Sequence, residues 1–423
     1  MQKTFERFLL PNGVRVILVP NAQSLATTVA VLVEAGSKYE TKELNGISHF
    51  LEHMCFKGTT KRPRPIDIAS ELDGLGAEYN AFTSQEWTSY YAKVKNESFH
   101  RALDIVADLY LHPTFNTEEI EKEKGVIVEE INMYEDLPQR RVGEFFMELV
   151  YGDQPAGWSI AGEKDVIRRI TRDDFLKYRG AHYLPQATTV VIAGGFDVEK
   201  AKKDVQAHFG MIGEGKKDAK SKVMEEQREP KELIRFKQVD QTHLVMGFRA
   251  FDVKDPRRYA LTLLADILGG GMGSRLFQRV REELGAAYYV RAEAELFSDH
   301  GLLTMSSGVT HEKLRDVIKA GLEEFARFTK EPVNIEDLDR AKRHVTGQFV
   351  LSLETSDTQG YFYGGQEVMG VPLQTPEEYT AKIQAVTAEE IQKVAQDLFK
   401  NDALNLALIG PYKDVSFLDI LKV

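Results

Sequence analysis

The strongest constraint on the fold is a series of predicted elements that occurs twice, once in each half of the chain. In each half a strand leads to a helix, a glycine turn, two strands and two long helices, and a last strand follows. The first strands are 28–33 (TVAVLV) and 242–248 (THLVMGF), and the last are 188–194 (TTVVIAG) and 404–410 (LNLALIG). This repeat predicts an internal duplication. We expect an α+β fold with two homologous domains, each a mainly antiparallel sheet packed against helices.

A charged segment at 213–230 (GEGKKDAKSKVMEEQREP) separates the two copies. It contains few large apolar residues and ends in proline, which is typical of a linker. The chain has 423 residues, and one core usually serves no more than roughly 250–300. We therefore expect domains at 1–212 and 231–423, joined by the linker 213–230.

Two predicted helices of the first half carry the candidate metal-binding and catalytic residues. One spans 44–57, and Asn45 or Ser48 is its expected N-cap because these residue types precede an amphipathic run. The other begins near Thr117, has acidic residues in its first turn, and continues past Glu130.

The motif H-F-L-E-H at 49–53 is the most informative segment of the sequence. Four residues turn a helix by about 400°, so His49 and His53 lie on one face, about 6 Å apart, and can bind one zinc ion. Glu52 lies on the same broad face and can reach a metal-bound water. H-x-x-E-H is the order of the inverted zincins. The alternative is a pair of ordinary histidines on an amphipathic helix, since chance produces this motif in about a few per cent of such chains.

A catalytic zinc site needs a third protein ligand and an open fourth position. Glu123 and Glu130 are seven residues apart on the second helix, hence on one face, which Val126 and Ile127 make partly apolar. Carboxylates on a buried face need a cation, whereas the alternative is a solvated acidic face. Glu129 competes with Glu130, and spacing alone does not separate the two.

The motif at 49–53, with the following M-C-F-K-G-T, resembles the active-site segment of the pitrilysin family, which includes insulin-degrading enzyme and the mitochondrial processing peptidase. That family has its third ligand 77 residues after the second histidine, at the end of E-x-x-x-x-x-x-E, and Glu130 has this position here. Glu123 matches the first glutamate of that pattern. The resemblance thus implies Glu130 as the ligand and Glu129 as a non-ligand.

The resemblance implies one Zn²⁺ ion per chain, held by His49, His53 and Glu130. Glu52 would be the general base, and Glu123 would orient the site as a second-sphere carboxylate. In this comparison the first domain is catalytic and binds zinc, and the second binds no zinc and contacts substrate.

Candidate substrate-binding residues also come from the resemblance. Asn80 and Ala81 match the edge strand to which substrates of this family add their backbone as a further strand. Arg281 and Tyr288, seven residues apart, match an arginine and a tyrosine that contact the substrate and its transition state. Phe277 ends a glycine-rich segment that precedes this pair. The alternative for the pair is a surface arginine and a core tyrosine.

The resemblance implies a zinc metalloendopeptidase, similar to processing peptidases, that cleaves extended peptides or unfolded segments inside a closed chamber. Long members of the family have four such domains and this chain has two, so a homodimer, or a heterodimer with a related subunit, is expected. Arg281 and Tyr288 of one chain would then face the zinc of the other. Two other classes stay open: a non-catalytic structural or partner subunit, and a zinc hydrolase of another bond, such as a deacetylase or phosphoesterase.

Composition limits the possible partners and location. The formal net charge of -11 argues against nucleic acid as a partner. No stretch approaches 18 apolar residues, so no membrane association is expected. Cys55 is the single cysteine, which excludes an intramolecular disulfide and suits a reducing compartment. The polar residues 1–6 show no signal-peptide pattern, so a cytoplasmic location is expected.

Overall fold

The computed structural model describes residues 5–213 and 215–423. Residues 1–4, on which the signal-peptide prediction partly rests, and residue 214 of the linker lie outside the described residues. The strands are β1 (Glu6–Leu9), β2 (Arg15–Pro20), β3 (Ala26–Val33), β4 (Glu78–Thr83), β5 (Thr88–Lys95), β6 (Thr188–Gly194), β7 (Lys231–Phe236), β8 (Thr242–Ala250), β9 (Ala287–Leu296), β10 (Gly301–Val309) and β11 (Leu404–Gly410).

Helices connect these strands and cover the sheets. They are α1 (Ile47–Cys55), α2 (Pro65–Gly74), α3 (Phe99–Leu111), α4 (Thr117–Glu135), α5 (Pro138–Tyr151), α6 (Lys164–Arg169), α7 (Arg172–His182), α8 (Val198–Phe209), α9 (Arg258–Gly269), α10 (Leu314–Lys330), α11 (Ile335–Ser352), α12 (Ser356–Val368), α13 (Pro376–Ala385) and α14 (Ala388–Leu398). A π-helical segment, Phe277–Glu283, precedes β9.

The two sheets share one topology over five strands, and the first sheet has β1 in addition. The first has the strand order β1-β2-β6-β3-β5-β4 and the second β7-β11-β8-β10-β9. In the first sheet β2 pairs with β6 in parallel, in the second β7 pairs with β11 in parallel, and the other pairings are antiparallel. Apart from β1, each strand of the first sheet therefore has a counterpart in the second. This confirms the predicted α+β fold of two homologous, mainly antiparallel sheets.

The chain forms two compact units, and each is assembled from separate stretches of sequence. The first unit comprises the chain up to Ile131, Ser159–Ser221 and Leu351–Leu373, and the second comprises Asn132–Trp158, Lys222–Val350 and Gln374–Val423. The bounds therefore differ from the continuous domains 1–212 and 231–423 expected from the sequence, because each unit contains a helix from the other half of the chain.

Packing explains this difference. Helix α5, from the first half, buries Val142, Phe146 and Val150 in a cluster with residues of β8, β10 and β11. Helix α12, from the second half, buries Tyr363 against β2, β3 and β6. At Gly364 a Cβ atom would lie 3.1 Å from Val191 and 3.2 Å from Leu32, so the missing side chain lets α12 approach the first sheet closely. An apolar helix face packs wherever it finds a complementary sheet, irrespective of position in the sequence.

Within the described ranges, no helix is both long enough and apolar enough to cross a lipid bilayer.

Candidate metal centre

Helix α1 begins at a glycine and is capped from outside the helix. Gly46 has a φ of +97°, a left-handed conformation that few other residues adopt. The carboxylate of Glu40 accepts hydrogen bonds from the backbone N–H of Gly46 (2.7 Å) and Ser48 (2.8 Å). Asn45 donates to the same carboxylate at 2.9 Å. The predicted caps Asn45 and Ser48 are therefore wrong, because neither side chain caps α1 and a more distant carboxylate satisfies its first N–H groups.

One face of α1 is anchored in the core, and this fixes the direction of the opposite face. Ile47, Phe50 and Leu51 are fully buried. The side chains of His49 and His53, four residues apart, keep 12% and 22% of their exposure. The two histidines therefore lie side by side at the boundary of the core, as the helical spacing predicts.

Three donor atoms converge at this boundary. His49 Nε2 and His53 Nε2 are 3.3 Å apart, and each lies 3.6 Å from Glu130 Oε2. Donors about 2.0–2.1 Å from a tetrahedral zinc ion lie about 3.4 Å from one another. Both the separations and the donor types, two imidazoles and one carboxylate, fit a zinc ion, and within the described residues these three form the one group that could hold a metal.

Helix α4 carries both candidate glutamates, and the two lie in different environments. Glu130 lies in the donor group, whereas Glu129 is exposed to solvent. Ile127 is fully buried, but Val126 is 52% exposed. The predicted apolar stripe therefore includes Ile127 and not Val126, and the face that carries Glu123 and Glu130 is turned towards α1.

Glu123 holds one histidine of the group. The residue is 4% exposed, and its carboxylate accepts hydrogen bonds from His53 Nδ1 (2.9 Å) and Lys57 Nζ (2.6 Å). Burial acts to raise the pKa of Glu123, but these two donors outweigh it and the pKa is lowered. An ionised carboxylate only accepts, so His53 carries its proton on Nδ1 and directs Nε2 towards Glu130. Lys57 had no predicted role; it lies in the turn that follows the end of α1.

Glu52 lies beside the donor group without belonging to it. It is 9% exposed, and Thr83 Oγ1 donates a hydrogen bond to its Oε2 at 2.6 Å. Burial raises the pKa of Glu52, and the Thr83 hydrogen bond opposes this shift. Thr83, the last residue of β4, was not among the predicted site residues because nothing in the local sequence links it to α1.

Strand β4 lies at the edge of the first sheet and pairs with β5 alone among the described strands. Asn80 is exposed and Ala81 is buried. The N–H of Ala81 donates to the side chain of Asn80 at 2.9 Å rather than to β5. Because backbone groups alternate along an antiparallel strand, those of Ala81 and Thr83 point to the open edge. The structure thus places the predicted pairing strand next to Glu52.

Arg281, Tyr288 and Phe277 form a cluster in the second unit. Arg281 Nη1 donates to the carbonyl oxygen of Tyr288 at 2.9 Å. Its guanidinium carbon lies 5.0 Å from the ring centre of Phe277 and 5.3 Å from that of Tyr288. Tyr288 is 75% exposed, so the alternative of a core tyrosine is wrong. The cluster presents an aromatic ring and a cation to solvent.

Comparison with known proteins gives the family. A family model described as Insulinase (Peptidase family M16) matches residues 15–164, and one described as Peptidase M16 inactive domain matches residues 169–345. A Bacillus subtilis (strain 168) protein described as uncharacterized zinc protease YmxG is 36% identical over 410 residues, 96% of this chain and 98% of that protein.

Solved structures share the fold. A protease from Helicobacter pylori has a TM-score of 0.89 at 22% identity and covers 96% of this chain and 99% of its own. A chain of complex III2 from Candida albicans, with Inz-5 bound, has a TM-score of 0.86 at 17% identity and covers 98% of both. The expected resemblance to the pitrilysin family is confirmed: the chain belongs to peptidase family M16, whose curated relatives are named zinc proteases.

Proposed function

We propose that the chain is a zinc-dependent endopeptidase that cleaves extended peptides or unfolded segments. The observation that carries this proposal is the donor group of His49, His53 and Glu130, at zinc-compatible separations, with Glu52 next to it. A structural zinc site uses four protein ligands, whereas a catalytic one uses three and leaves a position open. Three donors and a neighbouring carboxylate outside the set correspond to the second type.

A zinc ion bound there would act as a Lewis acid and lower the pKa of a coordinated water towards neutrality. Glu52 would accept the proton of the attacking water and deliver it to the leaving amine. Thr83 would hold one oxygen of Glu52, so that the other faces the reacting atoms. Glu123 would hold the proton of His53 on Nδ1, so that Nε2 faces the metal position.

The open edge of β4 supports an extended substrate. The outward-facing backbone groups of Ala81 and Thr83 can bind a peptide as an additional strand, with the Ala81 N–H exchanging its Asn80 partner for the peptide. A folded protein has no free strand to offer at this position, so peptides and unfolded segments are the favoured class. In the second unit, Arg281 and Tyr288 would contact this peptide and stabilise the oxyanion that forms at the scissile carbonyl. We propose that they do so across a homodimer.

The test uses a quenched peptide library together with acetylated and phosphorylated model substrates. Peptide cleavage by the purified protein is expected, with loss of activity after chelation and recovery when zinc is added. Zinc binding without cleavage of any peptide would instead favour a non-catalytic subunit. Release of acetate or phosphate alone would indicate another hydrolase.

The third ligand can be tested separately from catalysis. Glu130→Gln is expected to reduce zinc from about one ion per chain to a small fraction, because an amide oxygen is a much weaker ligand than a carboxylate. Glu129→Gln is the matched control: its side chain is exposed and it should retain zinc as the wild type does. Metal analysis after dialysis measures both. Equal zinc retention in the two variants would show that Glu130 is not a ligand.

A further inference from the structure

The segment 213–230 is attached to the protein at regular intervals, although its composition is that of a flexible linker. Its half-buried positions in the described part include Lys217, Lys220, Val223 and Gln227, whereas most residues between them are exposed. Lys217 pairs with Glu34 and Lys220 with Glu86 in the first unit. In the second unit, Val223 packs against an apolar cluster and Gln227 donates to a backbone carbonyl of β11 at 3.1 Å.

Lys220 makes the most buried of these polar attachments. The Lys220 side chain is 15% exposed to solvent, and the Glu86 side chain is 5% exposed. The same Glu86 oxygen lies 3.2 Å from Lys38 Nζ, and the Lys38 side chain is 1% exposed. A carboxylate this deeply buried requires cations nearby. Among the described residues, Lys220 of the linker and Lys38 both supply such a cation.

Glu86 belongs to the turn that joins β4 to β5. Ser84 and Trp87 close this turn through the Ser84 N–H, which donates to the Trp87 carbonyl at 2.9 Å. Lys38 N–H donates to the carbonyl of Gln85 at 2.8 Å. Thr83, the residue before the turn, is the donor to Glu52. A short path of contacts therefore leads from Lys220 through Glu86 and the turn to Thr83 and Glu52.

We propose that Lys220 is a positioning residue for Glu52, an inference that rests on the proposed peptidase function. The ammonium group of Lys220 covers Glu86 from the linker side and holds the turn against the segment that contains Lys38. Removing it leaves Glu86 paired with Lys38, so the fold is retained, but opens the carboxylate to water. The turn then loosens, and the Thr83 hydroxyl no longer holds Glu52 at a fixed distance from the substrate.

The first test is the replacement Lys220→Met, which keeps the aliphatic stem and removes the charge. We expect kcat for a quenched peptide to fall about tenfold, because small displacements of a catalytic group are costly. KM, zinc content and Tm should stay close to wild type. Lys216→Met and Lys222→Met are matched controls, since both lysines are exposed on the same segment. Unchanged kcat in Lys220→Met, or a change confined to KM, would overturn the proposal.

A double-mutant cycle with Thr83→Val identifies the path. Thr83→Val removes the hydroxyl and is expected to lower kcat itself. If Lys220 acts through Thr83, adding Lys220→Met to Thr83→Val should lower kcat less than about threefold further. If the double variant instead loses kcat by the full product of the two single-variant factors, Lys220 does not act through Thr83. If Lys220→Met lowers Tm, Lys220→Arg should restore both Tm and kcat, and recovery of Tm alone would count against the proposal.

The proposed function and this inference fail in different ways. If the wild-type protein binds zinc but cleaves no peptide, both the peptidase function and the role of Lys220 are excluded. If the wild-type protein cleaves peptides and Lys220→Met does so at the same rate, only the role of Lys220 is excluded.

Discussion

Glu52→Gln is expected to abolish peptide cleavage while leaving the zinc content unchanged. An amide cannot accept a proton at neutral pH, and the loss of a general base lowers rates by roughly 10²–10⁴-fold. Zinc should be retained because Glu52 lies outside the donor group of His49, His53 and Glu130. The amide oxygen of glutamine can still accept the hydrogen bond from Thr83, so the local packing should also be retained.

Single-turnover cleavage of a quenched peptide, with metal analysis of the same preparation, measures this effect. Glu129→Gln is a suitable control, because it makes the same chemical change at an exposed position. A Glu52→Gln protein that keeps more than about a tenth of the wild-type rate would show that Glu52 is not the base. Loss of zinc together with activity would leave the role of Glu52 as base unsupported.

The sequence predicts which of these side chains lie close together, because helical periodicity is local. His49 and His53 come together through the rise and turn of one helix, so their spacing alone places their Nε2 atoms close, as the 3.3 Å separation shows. Glu123 and Glu130 lie two turns apart on one helix in the same way. The choice of Glu130 over Glu129 came from the family pattern and not from periodicity, and the exposure of Glu129 agrees with it.

The contacts that the sequence does not predict are those between segments far apart in the chain. Glu40 accepts hydrogen bonds from the N–H groups of Gly46 and Ser48, six and eight residues later in the sequence. A capping side chain normally lies only two or three residues before the N–H group that it binds. Thr83 reaches Glu52 from another strand 31 residues away. Both partners are fixed by the tertiary structure, so no spacing rule predicts them.

The same limit applies to the domain bounds. Charge and proline predict a linker at 213–230, but composition does not show where an amphipathic helix packs. Helices α5 and α12 each carry an apolar face that complements the sheet of the other half. The sequence therefore predicts domains made of one continuous stretch each, whereas each compact unit of the structure is made of several separate stretches.

The second large effect is expected from mixing two inactive variants, Glu52→Gln and Arg281→Ala. Arg281 holds the backbone of Tyr288 and is the cation of the exposed cluster in the second unit. Its loss should lower kcat/KM by about 10²-fold or more, as the removal of an oxyanion-stabilising donor does elsewhere. Arg279→Ala is the control, because Arg279 lies on the same segment and pairs with Glu283 at 2.7 Å.

If the cluster of one chain completes the zinc site of its partner in a homodimer, the mixed dimer contains one site with an intact Glu52 and an intact Arg281. The other site of that dimer has both defects. Activity should then recover to about half of wild type per mixed dimer, since one of two sites works. If each site is formed within one chain, every site keeps one defect and no activity returns. Peptide cleavage after subunit exchange, with exchange verified by native mass spectrometry, separates the two arrangements. Absence of recovery despite verified exchange would exclude the shared site and leave the zinc ligands and Glu52 unaffected, because their roles rest on contacts within the first unit alone.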